Sequence, residues 1–366
     1  MNNWYSIIFC ILILSLIVIF HEFGHFIVAR TNGIAVTEFM VGLGPVLLEK
    51  KIKGTRFTLR VIPFGGACIM KGTDMDIDEH GQPPEPEAKE GDIPPADNDT
   101  FPSKSVWARI ATIFAGPFFN FVLAFILAVI VLGIAGIDKP YIVRTLDGLP
   151  AQAAGIQTGD LITELDGRSV KTARDISLFF DDVDMTQPIE IAVLRDGQKK
   201  VFSVQPCYSD EYEKYMLGIT WSYERHKTGT LETIGYSFYE VWYWIKLTVK
   251  SLGMIITRGV SVDDFSGPVG VATYVDETVE ASKSDGFGYV ILNLLNLCIL
   301  LSADIGVMNL LPIPALDGGR LVFLFIEAIR GKPIDPKKEG YVHIAGIIFL
   351  LLLMVVIMFN DIRKLF

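Results

Sequence analysis

Four stretches of this chain hold almost nothing that water solvates well, and each is long enough to cross a lipid bilayer. Residues 4–29 carry no charge before Glu22, and 110–137 carry none at all. Residues 287–316 are interrupted only by Asp304, and 342–359 are nearly pure Leu, Ile, Val and Met. A hydrocarbon core of ~30 Å takes about 20 helical residues. Backbone in lipid must close its own hydrogen bonds, so the four runs are expected to be transmembrane helices. The first is not read as a signal peptide, because no Lys or Arg precedes it and no small-residue cleavage site follows. It is expected to stay in the mature protein.

Enough polar chain remains for a substantial soluble part. The protein is 51% hydrophobic over 366 residues with a mean hydropathy of +0.41, so the apolar excess is concentrated in blocks. Its net charge of −10 lacks the basic footprint of a nucleic-acid binder. Lys and Arg gather after the first run (Arg30 to Arg109) and after the third (Arg320 to Lys338). The positive-inside rule makes both connections cytoplasmic and puts 138–286 and both termini outside. Cys10, Cys68, Cys207 and Cys298 have no metal-ligand spacing and read as small buried hydrophobes.

The connection after the first run has two unlike parts. Short strands are expected at 38–39, 46–48, 57–63 and 67–70, with Gly42, Gly44, Gly54, Gly65 and Gly66 as turns. Residues 74–102 are acidic, Pro-rich and unable to bury a core, and His80 within them reads as a bystander. The outer segment alternates short strand patterns with a helical one at 172–182, whose apolar face is Ile176, Phe179 and Phe180. Over 231–259 apolar residues recur at helical spacing, but Glu232, Glu240, Lys246 and Lys250 interrupt them. That pattern predicts a helix lying in the membrane interface, with Trp242, Tyr243 and Trp244 at headgroup depth.

Chemistry concentrates at the end of the first run, in His21-Glu22-Phe23-Gly24-His25. On a helix, residues four apart project from one face, so both imidazoles can reach one metal ion while Glu22 acts on its water without ligating. A catalytic zinc takes three protein ligands and keeps one position open. His80, His226 and His343 have poor surroundings for the third. Asp317 is the better candidate, because it follows Pro312 and Pro314 and precedes Gly318 and Gly319. Such residues unwind a helix at membrane depth, which is tolerated only around an enclosed or wet cavity.

The pair of motifs resembles the site-2 protease family of intramembrane zinc metalloproteases. The likeness rests on HEFGH (21–25), AGPFFNF (115–121), SGPVGVA (266–272) and NLLPIPALDGG (309–319). In addition, LPAQAAGIQTGDLITELDGRSV (149–170) resembles the PDZ family, and a single such domain matches the bacterial regulator-of-sigma-E protease type. The resemblance implies one Zn2+ held by His21, His25 and Asp317, with Glu22 as catalytic acid/base. It also implies that a β-hairpin containing Gly65 and Gly66 holds the substrate, helped by Asn120, Asn309 and the position of Asp304, where relatives usually have Asn. Asn120 and Asn309 read equally well as caps of broken helices.

The expected fold is an α-helical membrane protein with four transmembrane helices, a membrane-associated β-hairpin region and an inserted α+β PDZ-like domain. Helix 1 is expected over 1–30, the cytoplasmic hairpin over 31–72, the acidic loop over 73–105 and helix 2 over 106–137. The extracytoplasmic PDZ-like domain follows over 138–225, and the interfacial helix and linker over 226–286. Helix 3 with the LDG motif takes 287–319, a cytoplasmic loop 320–340, and helix 4 with the tail 341–366. The implied location is a bacterial inner membrane. The implied substrates are pre-trimmed single-span proteins such as anti-sigma factors, and remnant signal peptides, with peptide tails as ligands of the PDZ-like domain. A non-proteolytic PDZ adaptor with a structural zinc is the alternative, although such a site has no use for Glu22.

Overall fold

In a computed structural model, residues 4–73, 98–210, 212–258 and 267–364 are described. His80, most of the acidic segment, and Ser266 of the SGPVGVA run lie outside them. Helix α1 (Trp4–Thr31) leads into two long strands, β1 (Val36–Ile52) and β2 (Thr55–Met70). The four short strands expected from the pattern are therefore two continuous ones. Of the five glycines only Gly54 makes a turn. Lys53 (φ 47°) and Gly54 (φ 89°) are both left-handed between the paired Ile52 and Thr55, as a two-residue hairpin loop requires.

The remaining glycines lie inside the strands. Gly42, Gly44 and Gly65 take positive φ where the register slips, and such bulges bend a strand and re-aim it. In consequence Glu38 pairs with both Ile69 and Arg56, and Val41 with both Gly66 and Leu59. The first half of β1 thus lies between two stretches of β2. Residues 66–70 pair with β1 alone, so among the described residues their outer edge carries no strand. Buried Glu38 ties this sheet together by accepting hydrogen bonds from Arg56 (2.7 Å), Arg60 (3.0 Å) and Thr58. Burial would raise its pKa, but these partners outweigh burial and hold the carboxyl below its ordinary value.

Helix α2 (Val106–Ala135) follows, with Pro117 inside it. Residues 129–236 form a unit of their own. In chain order its elements are β3 (Ile137–Asp138), β4 (Ile142–Thr145), α3 (Pro150–Ala153), β5 (Leu161–Leu165), β6 (Arg168–Ser169) and α4 (Ala173–Phe180). Then come β7 (Ile189–Arg195), β8 (Gln198–Val204), β9 (Cys207–Ser209), β10 (Lys214–Met216), β11 (Ile219–Trp221) and β12 (Arg225–His226). The main sheet has the order β6-β5-β7-β8, and β4 pairs with β11. Ile162, Leu165, Ile176, Phe179, Ile189 and Ile191 fill its core. Buried Asp160 receives two 2.6 Å hydrogen bonds from Arg195.

The chain ends in five helices: α5 (Thr230–Arg258), α6 (Pro268–Lys283), α7 (Phe287–Asn309), α8 (Asp317–Arg330) and α9 (Pro336–Lys364). α1, α2, α7 and most of α9 are long and apolar enough to cross a membrane, which makes this the four-span helical protein expected. Half of the apolar window of α7 is buried against only 6% of that of α9, so among the described residues protein leaves most of α9's apolar window uncovered. α7 stops at Asn309 rather than continuing to 316, because Pro312 and Pro314 cannot extend its ladder.

Two helices occupy stretches read as linker and loop. α6 buries Val275 and Val279, and Asp361 of α9 accepts the Gly267 and Gly270 amides at its N-terminus at 2.9 and 2.8 Å. α8 ends at Gly331, left-handed with φ 67°, a typical helix stop. Its Leu321 and Leu324 pack on Ile110 and Ile113 of α2, and the Arg109 guanidinium grips Glu327 with two hydrogen bonds.

Candidate active site

The site starts from α1, where His21 and His25 stand one turn apart. α2 approaches their side of the helix closely because two residues lack side chains. A Cβ on Gly24 would stand 2.9 Å from Phe119 Cβ, and one on Gly116 would stand 2.8 Å from His21 Nε2. His25 Nδ1 lies 2.8 Å from the Thr112 carbonyl, to which it can only donate. That bond puts the ring's proton on Nδ1 and turns the Nε2 lone pair inward.

Asp317 arrives from the other end of the chain. After α7, residues 310–316 cross without helix, Ala315 takes a φ of +80°, and Asp317 opens α8. Gly318 and Gly319 let the chain fold tightly on itself, since their Cβ atoms would stand 2.5 Å from Leu310 O and Ile313 O. Asp317 Oδ2 lies 3.0 Å from His21 Nε2 and 3.4 Å from His25 Nε2, and the two Nε2 atoms are 3.2 Å apart. A tetrahedral zinc with bonds of about 2.0–2.1 Å sets its ligands about 3.3 Å apart, so this triangle is one face of such a site. Asp317 Oδ2 is buried and makes no hydrogen bond of good geometry. The donors fit zinc, and this is the only such cluster among the described residues.

Glu22 lies beside the triangle. Its Oε2 accepts the Cys68 amide of β2 at 2.8 Å, which fixes the carboxylate between α1 and the strand. Glu22, Gly66, Asn309, His21, His25 and Asp317 line one cavity of about 310 Å³. A Cβ on Gly66 would stand 2.9 Å from Met40 O and 3.6 Å from Glu22 Cγ, so glycine permits this approach.

The other expected substrate contacts fall elsewhere. Gly65 packs on Leu43 within the hairpin. Asn120 is fully buried, with its amide 3.3 Å from His21 Nδ1, so it backs that ring instead of lining the cavity. Asp304 accepts a hydrogen bond from Thr248 of α5 and lines a different cavity with Gly270 and Tyr274. Helical position decides both cases, because Asn120 and Asp304 occupy faces turned toward neighbouring helices. Gly116, the Thr112 carbonyl and the Cys68 amide do structural work at the site that the sequence reading assigned to no residue. The signal available for Gly116 was its place in AGPFFNF beside Pro117.

Comparison with known proteins agrees with this geometry. Residues 9–353 match the description "Peptidase family M50". The zinc metalloprotease RasP of Bacillus licheniformis is 32% identical, covering 99% of each chain, and the regulator of sigma-W protease RasP of Bacillus subtilis is 31% identical over the same shares. A putative zinc metalloprotease of Clostridium acetobutylicum is 35% identical over 98% of each. Among solved structures, the PDZ domain of the SdrC-like protein from Listeria monocytogenes aligns with 23% of this chain and 87% of its own, at 24% identity and a TM-score of 0.21. Two imidazoles on α1 and a carboxylate nearly three hundred residues later converge in a chain that matches such enzymes end to end. The chain therefore belongs to Peptidase family M50, the site-2 proteases.

Proposed function

We propose that this integral membrane zinc metalloprotease hydrolyses a peptide bond within or just inside the transmembrane segment of a single-span substrate. The observation carrying this reading is the closeness of His21, His25 and Asp317, with Glu22 on the same cavity. When bound, zinc supplies Lewis acidity toward water and the scissile carbonyl. Glu22 takes a proton from the attacking water and returns it to the departing amine. The Thr112 carbonyl and Asn120 hold the imidazoles in place behind the ligand atoms. A helical substrate hides its carbonyls in its own ladder, so it must unwind before it is cut. The edge at 66–70 pairs with no second strand, and beyond the Cys68 amide held by Glu22 it can replace part of those lost hydrogen bonds, with Gly66 and Asn309 at the cavity wall.

Substrates of the anti-sigma type are the favoured class, since one relative regulates sigma-W. Remnant signal peptides are a second class. The inserted domain has an apolar groove between Phe180 of α4 and Met216–Trp221, suited to an extended tail. Following the placement of Lys and Arg, the catalytic cavity opens near the cytoplasmic face, with the inserted domain and both termini outside.

The test is cleavage of a tagged transmembrane substrate by purified enzyme in detergent. Wild type is expected to cut and Glu22→Gln to be inactive while keeping its zinc. Equal processing by both removes Glu22 from the mechanism, and a wild type that binds zinc but never cuts favours the adaptor reading. Asp317→Asn is expected to lower zinc content.

A further inference from the structure

An ionisable side chain inside a membrane-spanning helix is costly and normally functional. Within its apolar run 342–359, α9 carries one such residue, and it has no part in the chemistry above. His343 lies near the start of the span, and its Nδ1 accepts the Ala315 amide at 3.0 Å. Ala315 stands two residues before Asp317 with a φ of +80°, a left-handed conformation that a residue with a Cβ rarely adopts. On the same face of α9, Gly346 lies against the preceding residue. A Cβ there would stand 2.5 Å from both Pro314 Cβ and Pro314 O. α9 therefore touches Pro314 through bare backbone and Ala315 through one imidazole nitrogen.

Since Nδ1 accepts, the ring proton must sit on Nε2. Nε2 is buried without a hydrogen-bond partner, and Glu339 Oε1 lies 3.7 Å away. The ring lines both the catalytic cavity and a neighbouring one of about 260 Å³. Its donors do not belong to the cluster at the metal site, so His343 is not a fourth ligand.

Resting on the metal-site reading, we infer that His343 is a positioning residue. Its Nδ1 locks Ala315 in the left-handed turn and thereby aims Asp317 Oδ2 at His21 and His25. The conformation is unfavourable for alanine by itself and needs an external partner to persist, and Nδ1 is the acceptor that this amide has. Substitution at His343 should loosen the metal site without removing a ligand.

The experiment uses the full-length protein in detergent, stripped of metal and titrated with zinc under competition, and with cobalt followed by its visible absorption. Four variants are compared. His343→Asn places its oxygen where Nδ1 was, whereas His343→Gln places it one bond farther out. His343→Ala removes the acceptor, and His343→Ala with Ala315→Gly removes the need for it, since glycine takes this φ freely. His343→Ala and His343→Gln are expected to bind zinc about tenfold more weakly, the low end for loss of an orienting partner, with a shifted cobalt spectrum. His343→Asn and the double variant should stay near wild type.

Wild-type affinity and spectrum in His343→Ala would overturn the inference. Equal impairment of the Asn and Gln variants would also overturn it, by showing that ring bulk rather than Nδ1 matters. The Asn and Gln side chains differ by one methylene, so their contrast stands even if the alanine variant misfolds. Failure of wild type to bind either metal would instead reject the metal-site reading itself.

Discussion

Two imidazoles can share one ion with a third ligand only if the helix behind them comes close without filling their space. Gly116 meets that condition. Gly116→Ala is expected to push both rings apart and to lower zinc content sharply, measured by metal analysis of the purified protein; unchanged stoichiometry would show that α2 can yield. Asn120 acts from behind in a different way. A His21 that ligates through Nε2 carries its proton on Nδ1, and that proton needs an acceptor. Asn120 Oδ1 is buried with no partner, and turning the amide over brings it to His21 Nδ1. Asn120→Asp keeps an acceptor and should hold zinc, whereas Asn120→Leu should weaken it roughly 10-fold or more. Equal affinities in both would separate Asn120 from His21. That His21, His25 and Asp317 could meet was legible because the HExxH register and a carboxylate on a proline-broken span are local patterns. The side chain that orients His21 was not, because nothing in sequence says which face of α2 meets α1.

Elements differ in how far they could be foreseen. Four long apolar runs left the spans little freedom, and the LDG segment announced its break through its prolines. α8 was missed although Leu321, Leu324 and Ala328 keep helical spacing and Gly331 marks the stop, because its charges at Arg320, Glu327 and Arg330 resembled a connecting loop. The hairpin was expected, but its two strands were read as four short ones. Glycines signal left-handed backbone but do not distinguish a turn from a bulge, and only pairing at long range decides it.

That pairing depends on Glu38, which gives a pH prediction. A carboxyl held below its ordinary value of 4.5 stabilises the folded sheet fully above that value and loses the contribution as pH falls below it. Hydrogen exchange should therefore show amides 36–70 losing protection below pH 4.5 in wild type, while Glu38→Gln should already be less protected at pH 7. A hairpin equally protected across that range would detach Glu38 from its stability. At α8 the largely buried Arg109–Glu327 pair, with side chains 12% and 15% exposed, makes a second case. Glu327→Ala leaves the Arg109 charge without its carboxylate, keeping only the Nε bond to the Lys104 carbonyl, and should cost about 3 kcal/mol, seen as faster exchange across α8. Exchanging the two charges should recover part of it.

For the whole molecule, an ion held by His21, His25 and Asp317 would link segments that the chain itself keeps far apart. α1 carries two of these donors and the start of α8 the third, so a metal bound there would join the N-terminal and C-terminal parts of the membrane unit. A ligand that binds only the folded state adds RT ln(1 + [L]/Kd), about 4 kcal/mol at a free concentration a thousand times Kd. Removing zinc with a chelator should lower the thermal midpoint of this unit and raise exchange at two separate places, the end of α1 and residues 310–320. The inserted unit should not respond, because its core, from Ile142 to Leu217, is built from its own strands and helices. Deuterium uptake measured peptide by peptide, with and without chelator and after zinc is restored, tests this directly. Reversible change at both distant segments together, with 140–222 unaffected, is the expected pattern. Loosening at one segment alone would mean that the three donors do not share an ion, and it would remove the basis for assigning Asp317 to the same centre as His21 and His25.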